Sequence, residues 1–100
     1  MEKQIEEKLP QIRKIFSKNG AKTAFLFGSA ATNKFHSNSD VDFLFSFPND
    51  LDYEVYTDNY FKIVDELKQL LNKNIDLVAE KTLKNPFLIE SINESKIQLL

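Results

Sequence analysis

Hydrophobic residues recur along the chain with two periods, one helical and one extended. Residues 2–18 carry apolar side chains at helical spacing among charged and amide residues, namely Ile5, Leu9, Ile12, Ile15 and Phe16. Pro10 either kinks this helix or lies in the first turn of its second half. Gly20 supplies a helix stop, and the apolar run that follows predicts a buried strand over 23–28.

The middle of the chain predicts a second strand with two chemically different faces. A short helix beginning near Ser29 and a polar loop lead into this strand. Alternation over 40–47 puts Val41, Phe43, Phe45 and Phe47 on one face and Asp40, Asp42, Leu44 and Ser46 on the other. The first face is typical of a core, whereas the second combines apolar residues with two carboxylates.

The remaining pattern alternates helix and strand. A long helix is predicted from about 58 to 72, with Phe61, Val64, Leu67, Leu70 and Leu71 as its buried stripe. A third strand covers 75–79, and a helix follows with Asn85 as N-cap and Pro86 in first position. The last residues predict a short edge strand. We therefore expect a single α+β (α/β) domain over 1–100, with a small mixed sheet flanked by helices.

The composition of the chain argues against several classes of function. The 100 residues carry a formal net charge of −2, which argues against binding DNA through bulk basic charge. There is no cysteine, so disulfides and Cys-ligated zinc are excluded. No apolar run reaches the ~20 residues of a membrane span, and the N-terminal residues have no apolar signal core. We expect a cytoplasmic protein without membrane contact.

Three aspartates point to a metal site. Residues i and i+2 of a strand point the same way, about 6–7 Å apart, so Asp40 and Asp42 project two carboxylates from one face. A divalent cation relieves the repulsion between two such carboxylates, and a site with only oxygen ligands suits Mg²⁺ or Mn²⁺. Asp76 lies on the opposite face of its strand from Ile75 and Leu77. If the two strands are neighbours, it joins Asp40 and Asp42 around a metal pair.

Gly28 and Ser29 fit the same chemistry. They lie where a strand gives way to a helix, so glycine lets a phosphate approach the backbone and the helix start offers N–H groups. These features also have simpler explanations. Asp40 could only open the strand, Asp42 could lie on an exposed face, and Gly28–Ser29 could be a tight turn with a serine cap. Lys34 and His36 are expected to be surface residues.

The stretch LFGSAATNKFHSNSDVDFLF at 26–45 resembles the G-S-x(10)-D-x-D signature of the DNA polymerase beta-like nucleotidyltransferase superfamily. With the later NIDLV, the short chain is similar to the minimal nucleotidyltransferase (MNT) subgroup. Many members read G-S-x-A-R-G, whereas this chain has Thr32 and Asn33 in place of the arginine and the glycine. The missing arginine removes a phosphate or partner contact.

The resemblance implies Mg²⁺-dependent transfer of a nucleoside monophosphate, with ATP as the expected substrate, to a hydroxyl on a partner protein or RNA. Asp40, Asp42 and Asp76 would be the catalytic and metal-binding residues, and Gly28 and Ser29 would hold the nucleotide. MNT proteins often accompany a HEPN-domain toxin, so an antitoxin role is expected. The alternative is a non-catalytic module that masks a HEPN-type partner. The acceptor and a homo-oligomeric state stay open.

Overall fold

A computed structural model describes residues 1–32, 34, 36 and 38–100. The N-terminal helical pattern forms two helices, α1 (Lys3–Glu7) and α2 (Leu9–Lys18), which meet at Lys8. Pro10 lies in the first turn of α2, where its missing N–H costs no hydrogen bond. Gly20 follows α2 with a φ of 83°, a left-handed conformation that glycine adopts without steric cost.

Eight helices and strands build the described fold, together with two short 3₁₀ turns. After α1 and α2 come β1 (Thr23–Phe27), β2 (Val41–Ser46), α3 (Tyr53–Leu71), β3 (Ile75–Ala79), α4 (Pro86–Ser95) and β4 (Ile97–Gln98). The 3₁₀ turns are Gly28–Ala31, directly after β1, and Glu80–Thr82, directly after β3. Asn85 caps α4 by accepting from the Phe87 and Leu88 N–H groups, as its sequence predicts.

The four strands form one mixed sheet in the order β3–β2–β1–β4. β1 is antiparallel to both β2 and β4, whereas β2 and β3 are parallel. The parallel register pairs Asp42 with Asp76, and the antiparallel register pairs Phe27 with Asp42. The fold is thus the small mixed sheet flanked by helices that the sequence predicts.

One face of the sheet carries the main core. Val41, Phe43 and Phe45 of β2 are fully buried there, as alternation predicts. They pack with α2 and α3 residues, including Ile12, Phe16, Ile63 and Leu67. The other face carries a smaller cluster of Phe27, Leu44 and Ile92, with α4 contributing the isoleucine. Because that cluster covers only part of the second face, it leaves room for polar side chains near the start of β2.

The predicted buried stripe of α3 is confirmed except at one residue, since Leu67 is buried and Val64, Leu70 and Leu71 pack against the core. The helix begins at Tyr53, and Asn72 ends it in a left-handed conformation. Phe61 was assigned to the buried stripe and is 60% exposed, so that assignment is wrong. The stripe runs through Ile63 and Leu67, one turn apart. Its N-terminal continuation is Tyr56 and Tyr60, which pack on Phe45 and lie before the part of the helix from which the stripe was predicted.

The edge strand β3 is tied to α3 by a side-chain hydrogen bond. The Tyr60 hydroxyl donates to the Leu77 carbonyl oxygen at 2.8 Å. At the end of the strand, the Thr82 hydroxyl donates to the Ala79 carbonyl oxygen at 2.7 Å. Within the described part of the chain, no helix is both long enough and apolar enough to cross a membrane.

Candidate active site

Asp42 and Asp76 meet on one face of the sheet. They pair directly in the parallel ladder between β2 and β3, and their side chains are hydrogen-bonded to each other. Side chains that pair across neighbouring strands project from the same sheet face. The structure therefore brings together the two acids that the sequence placed on separate strands.

This arrangement is electrostatically costly for Asp42. Burial raises its pKa from 3.8 to about 6, with further contributions from the charges of Asp76 and Asp40 and from the hydrogen bond to Asp76. A hydrogen bond between two carboxyl groups requires a proton on one of them. The pair therefore carries more negative charge near neutral pH than its surroundings stabilise.

Asp40 lies at the rim of the same face. It comes just before β2, is exposed, and is close enough for its charge to act on Asp42. Among the described residues, however, no three His, Cys, Asp or Glu side chains are gathered closely enough to hold a metal ion as they stand. The structure thus pairs Asp42 with Asp76 and leaves Asp40 at the edge of the pair.

The donor set nevertheless fits a hard divalent cation. All its ligand atoms would be carboxylate oxygens, which Mg²⁺ and Mn²⁺ prefer over softer ligands. A cation would also replace the proton that the Asp42–Asp76 hydrogen bond needs. Mg²⁺ sites use one or two protein carboxylates and complete their coordination shell with water and phosphate. The Asp42–Asp76 pair therefore supplies as many protein ligands as such a site needs.

Gly28 lies against Asp42 in a way that only glycine allows. Its φ is 72°, in the left-handed region. A Cβ at this position would clash with the Asp42 Oδ2 atom and lie 3.2 Å from its Cγ. The glycine therefore brings the end of β1 to within touching distance of the acid pair.

An open groove of about 550 Å³ begins at Gly28 and Ser29. Its opposite wall comes from α4, through Ser91, Glu94 and Ser95, which packs against the 3₁₀ turn. Sequence reasoning missed these three residues, because their position depends on how α4 docks on the sheet. Lys34 also lines the groove, although the sequence assigned it to the general surface.

The loop between the 3₁₀ turn and β2 is described in part. Thr32, which stands where many family members have arginine, donates its hydroxyl to the Ser29 carbonyl oxygen at 3.3 Å. It thereby closes the 3₁₀ turn and carries no charge. Asn33, the second departure from the family pattern, lies outside the described residues. His36 is exposed, as expected.

Comparison with known proteins identifies the family of the chain. Residues 9–99 match the model of the nucleotidyltransferase domain family. The chain is 35% identical over 95 residues to "Putative protein adenylyltransferase MJ0128" of Methanocaldococcus jannaschii, covering 94% of this chain and 93% of that protein.

Two solved structures share the fold. The "Structure of putative minimal nucleotidyltransferase" superposes with a TM-score of 0.78 at 23% identity, covering 97% of this chain and 95% of that one. The second is a chain from the structure of the tri-AMPylated HEPN toxin of Shewanella oneidensis in complex with MNT antitoxin. It superposes with a TM-score of 0.65 at 20% identity, covering 95% of this chain and 71% of that one. The chain belongs to the nucleotidyltransferase domain family, and its fold is that of the minimal nucleotidyltransferases.

Proposed function

We propose that this protein is a Mg²⁺-dependent adenylyltransferase that transfers AMP from ATP to a hydroxyl on a partner protein. The observation that carries the proposal is the pairing of Asp42 with Asp76 directly beside Gly28. A fold alone does not fix an activity, but an acid pair beside the glycine at which this groove begins fits this one. The name of the Methanocaldococcus jannaschii relative supports it.

Each site residue then has a role. Gly28 and Ser29 would hold the triphosphate, and Asp40 and Asp42 would ligate the metal ions with Asp76 on the acceptor side. The bound metal would supply charge stabilisation for the reacting phosphate. The acceptor hydroxyl oxygen bonds to the α-phosphorus, the bond from that phosphorus to the α–β bridging oxygen breaks, pyrophosphate leaves, and the hydroxyl proton passes to water.

The partner we propose is a HEPN-domain protein, with this chain as its antitoxin in the cytoplasm, where ATP is supplied. The Shewanella oneidensis complex, in which a HEPN toxin carries AMP, supports this choice. A second candidate is a masking module that acts without catalysis. Two observations favour it: the acids are not gathered into a three-ligand group among the described residues, and Phe87 and Leu88 expose apolar surface on α4.

The test is transfer of labelled AMP from ATP to a co-expressed HEPN partner. Asp42→Asn and Asp76→Asn should each lower the rate by about a thousandfold, because several kcal/mol of charge stabilisation is lost. Asp65→Asn, at an exposed position on α3, is the matched control and should transfer normally. A pull-down of each variant reports partner binding separately from catalysis.

The outcomes separate the two candidates. Undiminished transfer by both site variants would remove the catalytic assignment. Absence of transfer by the wild type, with partner binding and neutralisation of toxicity intact, would support the masking module.

A further inference from the structure

A second groove opens beside Asp40, separate from the one at Gly28. It has a volume of about 470 Å³ and lies between the residues that precede β2 and the C-terminal end of α3. Its described lining residues are all polar or charged and include Asn38, Asp40, Lys68, Asn72 and Asn74. Its volume falls within the range of about 300–1,000 Å³ that is typical of ligand sites.

The strand register connects this groove to the acid pair. The Val41 N–H donates to the Asn74 carbonyl oxygen at 3.0 Å, which extends the β2–β3 ladder one residue before the strands begin. Asn74 therefore stands two residues before Asp76 on the same face, as Asp40 does before Asp42. Successive side chains on one face are about 6–7 Å apart, so a group held in the groove can reach the acids.

The groove differs from the rest of the molecule in charge. Lys68 lines it, and Asp40 is the only acid among its described lining residues, whereas the whole chain has a formal net charge of −2. Asp40 would be neutralised by the metal ion that the proposed function places beside it. The remaining lining then favours an anionic ligand, and the asparagine amides can both donate to and accept from a peptide backbone.

The lining also distinguishes a peptide from a nucleic acid. Single-stranded RNA is usually held by stacking bases on aromatic side chains, and none of the described residues that line this groove is aromatic. The amide-rich wall suits an extended polypeptide segment instead.

We propose that this groove receives the acceptor, and that the acceptor hydroxyl belongs to an acidic peptide segment. The inference rests on the proposed function, because the segment is held so that its hydroxyl oxygen can attack the α-phosphorus of ATP with pyrophosphate leaving. Lys68 contributes to specificity by pairing with an acidic side chain near the hydroxyl. The groove at Gly28 and the groove at Asp40 thus serve one substrate each.

The test uses three short fluorescent peptides, each with a central tyrosine flanked by glutamate, glutamine or lysine. Affinity is measured by anisotropy at low salt, with and without Mg²⁺ and a non-hydrolysable ATP analogue. The glutamate peptide should bind most tightly. Lys68→Gln should weaken binding of the glutamate peptide by about threefold to fivefold, which is the size expected for loss of one exposed charge pair. The affinity for the glutamine peptide should not change.

Lys62→Gln, on the same helix and outside the groove lining, is the matched control and should bind all three peptides like the wild type. Equal affinity for the three peptides, no binding of the glutamate peptide, or equal effects of the two lysine variants would overturn the proposal. Tighter, Lys68-dependent binding of a single-stranded oligouridine would overturn it in favour of RNA. ATP binding is measured in a separate thermal-unfolding experiment, so loss of nucleotide binding with retained peptide selectivity would count against the proposed function alone.

Discussion

Asp42 and Asp76 share one rung of the parallel β2–β3 ladder, with a hydrogen bond between their side chains. A carboxyl pair of this kind is stable only with a proton or a cation between the two groups. Burial, and then the charges of Asp76 and Asp40, raise the pKa of Asp42 to about 6, so the metal-free protein holds a proton there more readily. A proton and a cation therefore compete for this pair of carboxyl groups.

Asp42→Asn should stabilise the metal-free protein. The amide removes one of two clustered negative charges and can still donate a hydrogen bond to Asp76. The free energy of unfolding at neutral pH, measured by urea denaturation in chelator, should rise relative to the wild type. Asp65→Asn should leave it unchanged within about 0.5 kcal/mol. A lower stability of Asp42→Asn would show that the carboxylate, in its charged form, is structurally required.

Stability should depend on pH through the same residue. Because the pKa of Asp42 is higher in the folded state than its ordinary 3.8, its stabilising contribution is complete below pH 4 and is lost as the pH rises through about 6. The stability difference between Asp42→Asn and the wild type in chelator should therefore grow across this window. A difference that does not vary with pH would contradict the raised pKa.

Nucleotide binding should require a divalent cation. The triphosphate and the acids repel one another unless a cation lies between them. ATP with Mg²⁺ should raise the unfolding temperature, by an amount equivalent to about 2.7 kcal/mol at a hundred times the Kd, whereas ATP in chelator should not. Equal stabilisation by ATP with Mg²⁺ and by ATP in chelator would show that nucleotide binding does not depend on the aspartates.

Gly28→Ala should be destabilising for two reasons. The left-handed φ of 72° strains any residue with a side chain, and the new Cβ would clash with Asp42. We expect a loss of about 1–3 kcal/mol from the backbone conformation alone. Introduced into an Asp42→Ala background, the same change should cost less, because the clash disappears and the strain remains. Identical costs in the two backgrounds would mean that the two residues are not in contact.

Tyr60→Phe should lower stability by about 1 kcal/mol, through loss of the hydrogen bond to the Leu77 carbonyl. Burial, with a smaller contribution from Asp76, raises the pKa of Tyr60, so its hydroxyl stays protonated and donates over the whole neutral range. Tyr53→Phe is the control, because Tyr53 is 81% exposed, and it should be nearly neutral. Equal denaturation midpoints for the two variants would show that the bond contributes nothing.

The sequence predicted those parts of the site that depend on strand periodicity. A period of two places Asp40 with Asp42 and separates Asp76 from Ile75 and Leu77, whatever the rest of the fold does. Contact between Asp42 and Asp76 also depends on β2 and β3 being neighbours, which periodicity alone does not establish. Convergence of all three acids on one metal site stays a prediction.

Features that depend on packing between distant segments were not predictable in the same way. Ser91 and Glu94 enter the first groove only because α4 docks on the 3₁₀ turn. Phe61 shows the related limit for helices, since its exposure depends on the rotational phase of α3, which is set by contacts of Tyr56 and Tyr60 with β2. Local pattern fixes which residues share a face, and tertiary packing fixes which way that face points.

The capped edge of β3 limits how the protein can associate. Since Asn74 bonds towards β2, alternation turns the carbonyls of Ile75, Leu77 and Ala79 outward, and those of Leu77 and Ala79 already accept from Tyr60 and Thr82. An incoming strand would have to displace both hydroxyls before it could extend the sheet. This protects the edge against strand addition and the aggregation that follows from it. Partners are therefore expected to use the helical surfaces and the grooves.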